Sequence, residues 1–72
     1  MTKSNVQESV LNSLRVQKVP VTVFMTNGFQ QKGIILSYDG YTILLMNEGK
    51  QYLLYKHAVS TIVPVRNIQL HE

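Results

Sequence analysis

The chain contains no cysteine and no tryptophan, and only two histidines and four acidic residues among its 72. Without cysteine, disulfide bonds and thiolate metal sites are excluded, which is compatible with a reducing cytoplasm. The acidic residues are scattered along the chain: Glu8, Asp39, Glu48 and Glu72. Because so few possible metal ligands occur together, we expect neither a metal nor a cofactor.

Long hydrophobic runs are missing as well. No apolar segment approaches the ~20 residues that a membrane-spanning helix needs. The N-terminal segment MTKSNVQESV is polar and lacks the apolar core of a secretory signal peptide. We therefore expect no membrane partner and a cytoplasmic location.

Recognisable catalytic motifs are also absent. There is no carboxylate pair at a useful spacing, no nucleophile beside a base, and no glycine-rich phosphate loop that opens a helix. We interpret Asp39 as a turn residue, since Asp side chains stabilise such bends. The sequence predicts neither an enzyme nor a small-molecule substrate.

What the chain does have is a small size and an excess of positive charge. Residues 1–72 fit one small domain, and a chain this short buries only ~60% of its unfolded surface. Because no disulfide or metal adds stability, association of subunits is the remaining candidate. The net charge of +3 raises the expectation of a polyanionic partner only modestly.

The N-terminal segment reads as a short amphipathic helix over about residues 5–17. Its apolar residues recur at the spacing of one helical face: Val6, Val10, Leu11 and Leu14. Ser4, followed three residues later by Gln7, is a capping-box pattern that places the helix start near Asn5. Pro20 stops the helix and favours an extended backbone before it.

From about residue 19 to residue 65 the pattern changes to that of short β-strands. In VPVTVFMT the valines alternate with Pro20, Thr22 and Phe24, so we expect the valine face in the core and Phe24 on the more polar face. Four further segments read as strands: FQQKGIILSY, YTILLM, QYLLYKH and TIVPV. We expect residues 66–72 to form a short tail, without an extended C-terminal arm.

Glycines mark the turns and a bend. Asn27-Gly28 is the strongest hairpin signal and predicts a type I′ turn, which needs positive φ at both central positions. Further turns are predicted at two places: Asp39-Gly40 and residues 47–50. Gly33 lies inside a strand pattern and predicts a sharp bend or bulge of the kind that small barrels need.

These elements predict a mainly β fold with one N-terminal α-helix, in which five antiparallel strands form a strongly bent SH3-like or OB-like barrel. The last two strands read as a hairpin with Lys56 and His57 at its edge. Pro64 cannot donate a ladder hydrogen bond, so strand five should lie at a sheet edge. TIVPV and YLLY carry no charge to protect an edge, and we expect copies to associate edge to edge, as a ring if the rotation closes.

Three segments carry a resemblance to a known family: YKHAVSTIVP, NGFQ and LNSLR. Together they resemble Hfq, the bacterial Sm-like RNA chaperones, over about Val6 to Gln69. YKH followed by a small residue, an aliphatic residue and ST is a highly specific signature of that family. The resemblance implies an Sm-like fold and a homohexameric ring closed by pairing of strand four with strand five. It also implies single-stranded RNA partners, namely small regulatory RNA and mRNA.

The resemblance further implies a site for uridine-rich RNA on the face that carries the helices. Lys56 and His57 would bind uracil edges and phosphates. Tyr41 would stack on the base, and Gln7 would add a polar contact. Stacking of a base on an aromatic ring contributes ~1–3 kcal/mol, and a neutral imidazole can both donate and accept a hydrogen bond. From the residues alone, His57 could instead be structural, Tyr41 a cross-strand packing residue, and Gln7 part of the helix cap.

On the opposite face the resemblance implies a site for purine-rich, often adenine-rich, RNA. Its residues would be Phe24, Met25, Asn27, Gly28, Phe29, Gln30, Lys32 and Thr61. Lys32 stands where many proteobacterial members have Gln, which disfavours a trinucleotide repeat. It favours the alternation of a purine with an unselective linker, as in Gram-positive-like members. Phe24 and Phe29 could also simply be core residues.

The outer rim of the family's ring often carries an arginine cluster that anneals RNA strands. Here only Arg15 and Lys18 are cationic at the helix end, so we expect weaker annealing at the rim. A different class of function stays open, a small barrel that serves as a protein-interaction or assembly module. Phosphate binding would weaken steeply as salt rises, whereas an apolar peptide groove would respond little.

Overall fold

The computed structural model describes residues 6–68. The predicted helix cap at Ser4 and helix start near Asn5 lie outside the described residues, as does the end of the predicted tail, residues 69–72. No helix in the described part is long and apolar enough to cross a membrane. The elements follow one another as α1 Val6–Gln17, β1 Val21–Met25, β2 Gln30–Tyr38, β3 Thr42–Asn47, β4 Lys50–Tyr55, a 3-10 turn Lys56–Ala58, and β5 Val59–Pro64.

The strands form one antiparallel sheet in the order β4-β3-β2-β1-β5. β2 is shared between two halves of this sheet. Its residues 30–33 pair with β1, whereas its residues from Ile34 to Tyr38 pair with β3. The sheet therefore turns a corner along β2 next to Gly33, and this confirms the bend that the sequence predicts.

Glycine is required at this corner for a steric reason. Gly33 has a φ of 155°, which L side chains rarely adopt, and a Cβ at this position would overlap the Met46 carbonyl oxygen. The same Cβ would lie 2.9 Å from the Leu45 Cγ. The backbones of β2 and β3 thus approach more closely than any side chain at position 33 allows.

The core lies between α1 and one face of the sheet. Val21 and Val23 are buried while Phe24 beside them is only half-buried, so the valine face is confirmed as the core face. α1 closes this face with two buried leucines. The buried hydrophobic residues are Leu11, Leu14, Val19, Val21, Val23, Ile35, Ile43, Leu45 and Leu54.

α1 ends in a left-handed residue that is not glycine. Lys18 has a φ of 54°, and its N–H donates to the Arg15 carbonyl at 3.3 Å. The Val19 N–H donates to the Leu14 carbonyl at 3.1 Å. Glycine is the most common residue at this position after a helix, because a Cβ disfavours positive φ.

The turn between β1 and β2 differs from its prediction. The Met25 N–H donates to the Phe29 carbonyl at 2.8 Å, and the Gly28 N–H donates to the Met25 carbonyl at 3.0 Å, so residues 26–28 separate the closing pair. Gly28 has a φ of 93°, but Asn27 is not at positive φ. The predicted type I′ turn is therefore wrong, because a three-residue loop needs only one left-handed residue.

A turn with positive φ at both central positions occurs between β3 and β4 instead. Glu48 has a φ of 52° and Gly49 a φ of 79°, and the flanking residues Asn47 and Lys50 pair with each other. The predicted turn over residues 47–50 is therefore confirmed. It is a two-residue loop that joins β3 and β4 into a hairpin.

β4 is shorter than predicted and does not form a hairpin with β5. It ends at Tyr55, and Lys56 and His57 begin the 3-10 turn. β4 pairs with β3 and β5 pairs with β1, so the two strands lie at opposite ends of the sheet. The predicted last hairpin is therefore wrong. The predicted edge position of β5, which ends at Pro64, is confirmed.

Candidate nucleic-acid interface

Lys56 and His57 lie in the 3-10 turn, which backbone hydrogen bonds fix to two other turns. The Lys56 N–H donates to the Tyr41 carbonyl, in the turn between β2 and β3, at 2.8 Å. The Thr26 N–H, in the turn between β1 and β2, donates to the Ala58 carbonyl at 2.8 Å. The segment YKHA is thereby held beside residues that are distant in sequence.

Tyr41 is presented to solvent by a turn that Asp39 organises. The Asp39 Oδ1 accepts hydrogen bonds from the Tyr41 N–H at 2.8 Å, the Thr42 N–H at 2.7 Å and the Thr42 hydroxyl at 2.9 Å. This confirms Asp39 as a turn residue. The Tyr41 side chain is 83% exposed, so its ring faces solvent and does not pack across the strands.

The same contacts keep the Asp39 carboxyl ionised. Hydrogen bonds from the Tyr41 N–H, the Thr42 hydroxyl and the Thr42 N–H lower the pKa of Asp39 below its ordinary value, and the positive charge of Lys56 adds to this effect. At neutral pH the carboxylate is therefore a permanent acceptor at the base of the turn and a counter-charge near Lys56.

A cleft of about 290 Å³ opens beside the 3-10 turn, between α1 and β5. Gln7 and Lys56 both line it, and so does Thr61, which the resemblance assigns to the opposite face. The other lining residues are mostly apolar: Val10, Leu11, Ile43, Val59, Ser60 and Ile62. Gln7 and Lys56 thus line the same cleft. Tyr41 is linked to Lys56 by the backbone hydrogen bond between them.

His57 is exposed at the same turn. Its ring centroid lies 6.0 Å from that of Tyr55, with the two planes tilted by 36°. Neither ring lines the cleft. His57 is therefore next to Lys56 in the 3-10 turn but is not part of the cleft lining.

Lys56 makes one contact that the sequence does not predict. Its Nζ lies 5.5 Å from the centroid of the Tyr38 ring, and the Tyr38 hydroxyl lies 3.4 Å from the Glu8 carbonyl, to which it donates. Tyr38 and Lys56 belong to different parts of the chain, and no motif or spacing links them. Only the register of the sheet and the end of β4 bring them together.

Phe24, Gln30 and Thr61 are neighbours across three strands. Phe24 of β1 pairs with Gln30 of β2 and with Thr61 of β5. Thr61 therefore belongs by strand register to this group, although it also lines the cleft that contains Lys56.

The turn between β1 and β2 carries the other aromatic ring of this group. Phe29 is 72% exposed, so it is not a core residue. Its N–H donates to the Asn27 side-chain oxygen at 3.1 Å, and this bond helps to fix the turn together with the left-handed Gly28. Phe24 is half-buried, so it presents only part of its ring to solvent.

The other two predicted residues of this surface, Met25 and Lys32, have different surroundings. Met25 packs partly against the core, and only part of its side chain is accessible. Lys32 pairs with Thr22, one step from Gly33 at the sheet corner. It lines a separate cleft of about 320 Å³ together with residues of the turn between β3 and β4.

Arg15 and Lys18, the predicted rim residues, share a third cleft of about 280 Å³ at the C-terminal end of α1. The Arg15 Nη2 donates to the Asn12 side-chain oxygen at 2.6 Å. The rest of this cleft is apolar, being lined by Ile34, Ile35, Leu36 and Met46. Among residues 6–68, no three His, Asp or Glu side chains come together in a group that could hold a metal ion.

An N-terminal helix on a bent, open sheet of five antiparallel strands is the architecture of Sm-like proteins. The structure superimposes with a TM-score of 0.80 on a 1.55 Å crystal structure of the pleiotropic translational regulator Hfq. The two chains share 47% sequence identity, and the match covers 82% of this chain and 98% of that one. The fold is therefore Sm-like.

Curated relatives give the same result in sequence. The RNA-binding protein Hfq of Halalkalibacterium halodurans is 52% identical over 66 residues, covering 92% of this chain and 85% of the relative. That of Exiguobacterium sibiricum is 52% identical over 68 residues, covering 94% and 82%. That of Leptospira biflexa is 48% identical over 69 residues, covering 96% and 83%. The model of the Hfq protein family matches residues 6–69, and the chain belongs to this family.

Proposed function

We propose that this protein is a cytoplasmic RNA chaperone that acts as a ring of six copies. The ring binds uridine-rich RNA on the face that carries α1 and purine-rich RNA on the opposite face, and it promotes pairing between a small RNA and an mRNA. The observation that carries the proposal is the hydrogen bond from the Lys56 N–H to the Tyr41 carbonyl, which joins the backbone of a cationic residue to that of an exposed aromatic residue.

The uridine-rich site combines the groups that a single-stranded pyrimidine needs. The exposed Tyr41 ring offers a stacking surface, and single-stranded bases are free to stack. Lys56 supplies positive charge for a phosphate, while His57 and Gln7 provide donors and acceptors for the edge of uracil. Binding of bases through these contacts requires no covalent chemistry.

Assembly into a ring follows from the two ends of the sheet. In the sheet order of the described strands, β4 and β5 are each paired on one side only. Both carry exposed apolar side chains, with Leu53 54% and Val63 45% exposed. Pairing β4 of one copy with β5 of the next would bury them, satisfy both backbone edges, and repeat the uridine site around the ring.

The purine-rich surface is proposed on Phe29, Phe24 and the residues around them. The exposed Phe29 ring and the partly exposed Phe24 ring flank the turn at Asn27 and Gly28, so a base can stack against them. Gln30 and Thr61 stand beside Phe24 and can hydrogen-bond a base edge. Because Lys32 lines a separate cleft, we favour the readout of a purine followed by an unselective linker.

Holding two RNAs on opposite faces of one ring would raise the effective concentration of each for the other. The rim contributes less, since Arg15 and Lys18 are its cations at the end of α1. We therefore propose that pairing depends mainly on co-occupancy of the two faces.

The test compares one variant per face. Lys56→Ala should weaken binding of oligouridine by about tenfold or more, because a hydrogen bond to a charged group contributes ~1.5–3 kcal/mol, and leave oligoadenine binding unchanged. Phe29→Ala should do the reverse by a similar factor through lost stacking. Fluorescence anisotropy with labelled oligonucleotides measures both.

Lys50→Ala is the control, since it removes a lysine at a different position, one that is exposed at the start of β4. It should leave both affinities within twofold of the unmodified protein. If Lys56→Ala and Phe29→Ala each lost both ligands while the ring remained intact, the assignment of two separate faces would be wrong.

The exposed apolar side chains of β4 and β5 also favour the second candidate, a protein-interaction module. The two functions differ in their response to salt. Affinity for RNA should fall steeply and log-linearly between 50 mM and 200 mM salt, because phosphate contacts release counterions. A flat salt response together with weak RNA binding would favour the protein-interaction module.

A further inference from the structure

Tyr38 contacts Lys56 directly. The Lys56 Nζ lies 5.5 Å from the centroid of the Tyr38 ring, and an ammonium group within about 6 Å of a ring face is attracted by its π-electrons. The ring is itself held in place, because it packs partly buried against the core and its hydroxyl donates to the Glu8 carbonyl of α1.

Lys56 is therefore fixed at two points. Its backbone N–H is bonded to the Tyr41 carbonyl at 2.8 Å, and its ammonium group rests over Tyr38. Tyr38 and Tyr41 flank the same turn, whose shape the Asp39 carboxylate sets through its bonds to Tyr41 and Thr42. The backbone that carries the Tyr41 ring and the Lys56 ammonium group are thus both held before a ligand arrives.

We propose that Tyr38 is a positioning residue for the uridine-rich site. Its ring holds the Lys56 ammonium where a phosphate next to a base stacked on Tyr41 would meet it. A free lysine side chain loses much rotamer freedom when it is fixed on binding, so holding it in advance raises affinity. This inference rests on the proposed function and adds to it a residue that does not itself touch RNA.

Two other roles for Tyr38 give different results. If Tyr38 were only a packing residue, its loss would weaken folding and reduce both RNA affinities together. If Tyr38 bound RNA directly, its loss would matter whether or not Lys56 were present. Positioning predicts a loss that is confined to uridine-rich RNA and depends on Lys56.

The experiment is a double-mutant cycle read by oligouridine binding. Tyr38→Leu should weaken binding by roughly two- to fivefold per engaged subunit in the unmodified protein and should have no further effect in the Lys56→Met background. Oligoadenine binding should not change in either background. Tyr38→Phe keeps the ring and removes the hydroxyl, and it should bind oligouridine like the unmodified protein.

A second measurement examines the contact itself. In the unmodified ring, NMR should show the Lys56 ε-methylene protons shifted upfield by the ring current of Tyr38, and Tyr38→Phe should keep this shift. If Tyr38→Leu fails to assemble, Tyr38→Met carries the same cycle. The inference would be overturned if the upfield shift were absent. It would also be overturned if Tyr38→Leu did not weaken oligouridine binding, or weakened it equally with and without Lys56. Normal uridine binding by Lys56→Met would instead overturn the proposed uridine site.

Discussion

At the scale of single residues, one carboxylate oxygen organises the surface around Tyr41. The Asp39 Oδ1 accepts hydrogen bonds from the Tyr41 N–H, the Thr42 N–H and the Thr42 hydroxyl. Lys56 lies near enough for its charge to lower the pKa of Asp39 as well. Protonation of Asp39 would weaken these bonds and remove a counter-charge from Lys56, so the turn should respond to acid.

The sign of that response follows from the direction of the pKa shift. The folded-state pKa of Asp39 is lowered, so its contribution to stability is fully present above the ordinary aspartate pKa and is lost as pH falls through the folded-state value. We expect the gap in Tm between the unmodified protein and Asp39→Asn to be constant near neutral pH and to narrow from about pH 5 towards pH 2. Thermal unfolding followed by circular dichroism measures the gap.

Glu48→Gln is the control, because it removes one carboxylate from another exposed turn. The gap in Tm between Glu48→Gln and the unmodified protein should vary less over the same pH range than the gap for Asp39→Asn. A gap for Asp39→Asn that stays constant down to about pH 2 would show that the turn's hydrogen bonds do not depend on ionisation.

Sequence motifs indicate most of the candidate residues but not their arrangement. Lys56 and His57 stand in a recognisable segment, and Tyr41 follows a visible Asp-Gly turn. Tyr38 has no such signal, since its proposed role depends on a tertiary contact between the end of β2 and the 3-10 turn. A local pattern cannot show which distant side chain a ring will face.

At the scale of elements, the two hairpin turns show what dipeptide preference leaves open. Asn27-Gly28 carries the stronger type I′ signal. It nevertheless lies in a three-residue loop closed by Met25 and Phe29, while Glu48-Gly49 forms the turn with two left-handed residues. The dipeptide shows where a chain can reverse, but the pairing of the flanking strands sets how many residues the loop contains.

Gly33 allows a direct test of how the bend is made. Gly33→Ala should reduce the free energy of unfolding by about 1–3 kcal/mol, because the new Cβ would overlap the Met46 carbonyl and force β2 and β3 apart. Chemical denaturation of the two proteins under identical conditions measures this difference.

Gly40→Ala is a matched control in the same chain. A Cβ at Gly40 meets no other atom within 4 Å, so this variant should lie within about 0.5 kcal/mol of the unmodified protein. If both alanine variants were equally stable, close approach of β3 would not be the reason for a glycine at the corner.

At the scale of the whole molecule, the sequence predicted the strand content and the edge position of β5 but not the strand partners. Alternating apolar residues show which face of a strand is buried, as Val21 and Val23 confirm, and Pro64 restricts β5 to an edge. Neither feature shows that β5 pairs with β1 rather than β4. That separation leaves two apolar strands at opposite ends of one sheet.

The last prediction concerns these two ends. Lysine at an exposed edge position opposes strand pairing. Replacing a Leu or Val side chain that pairing would bury also reduces the free energy of association by ~1.5–3 kcal/mol per junction. The double variant Leu53→Lys with Val63→Lys should therefore raise the concentration at which the proposed ring dissociates by at least about tenfold, as measured by native mass spectrometry over a dilution series. Val16→Lys makes the same kind of change at a side chain of α1 that is 60% exposed, and it should leave six copies together. A monomeric unmodified protein, or a double variant that still forms an intact ring, would show that copies do not associate through β4 and β5.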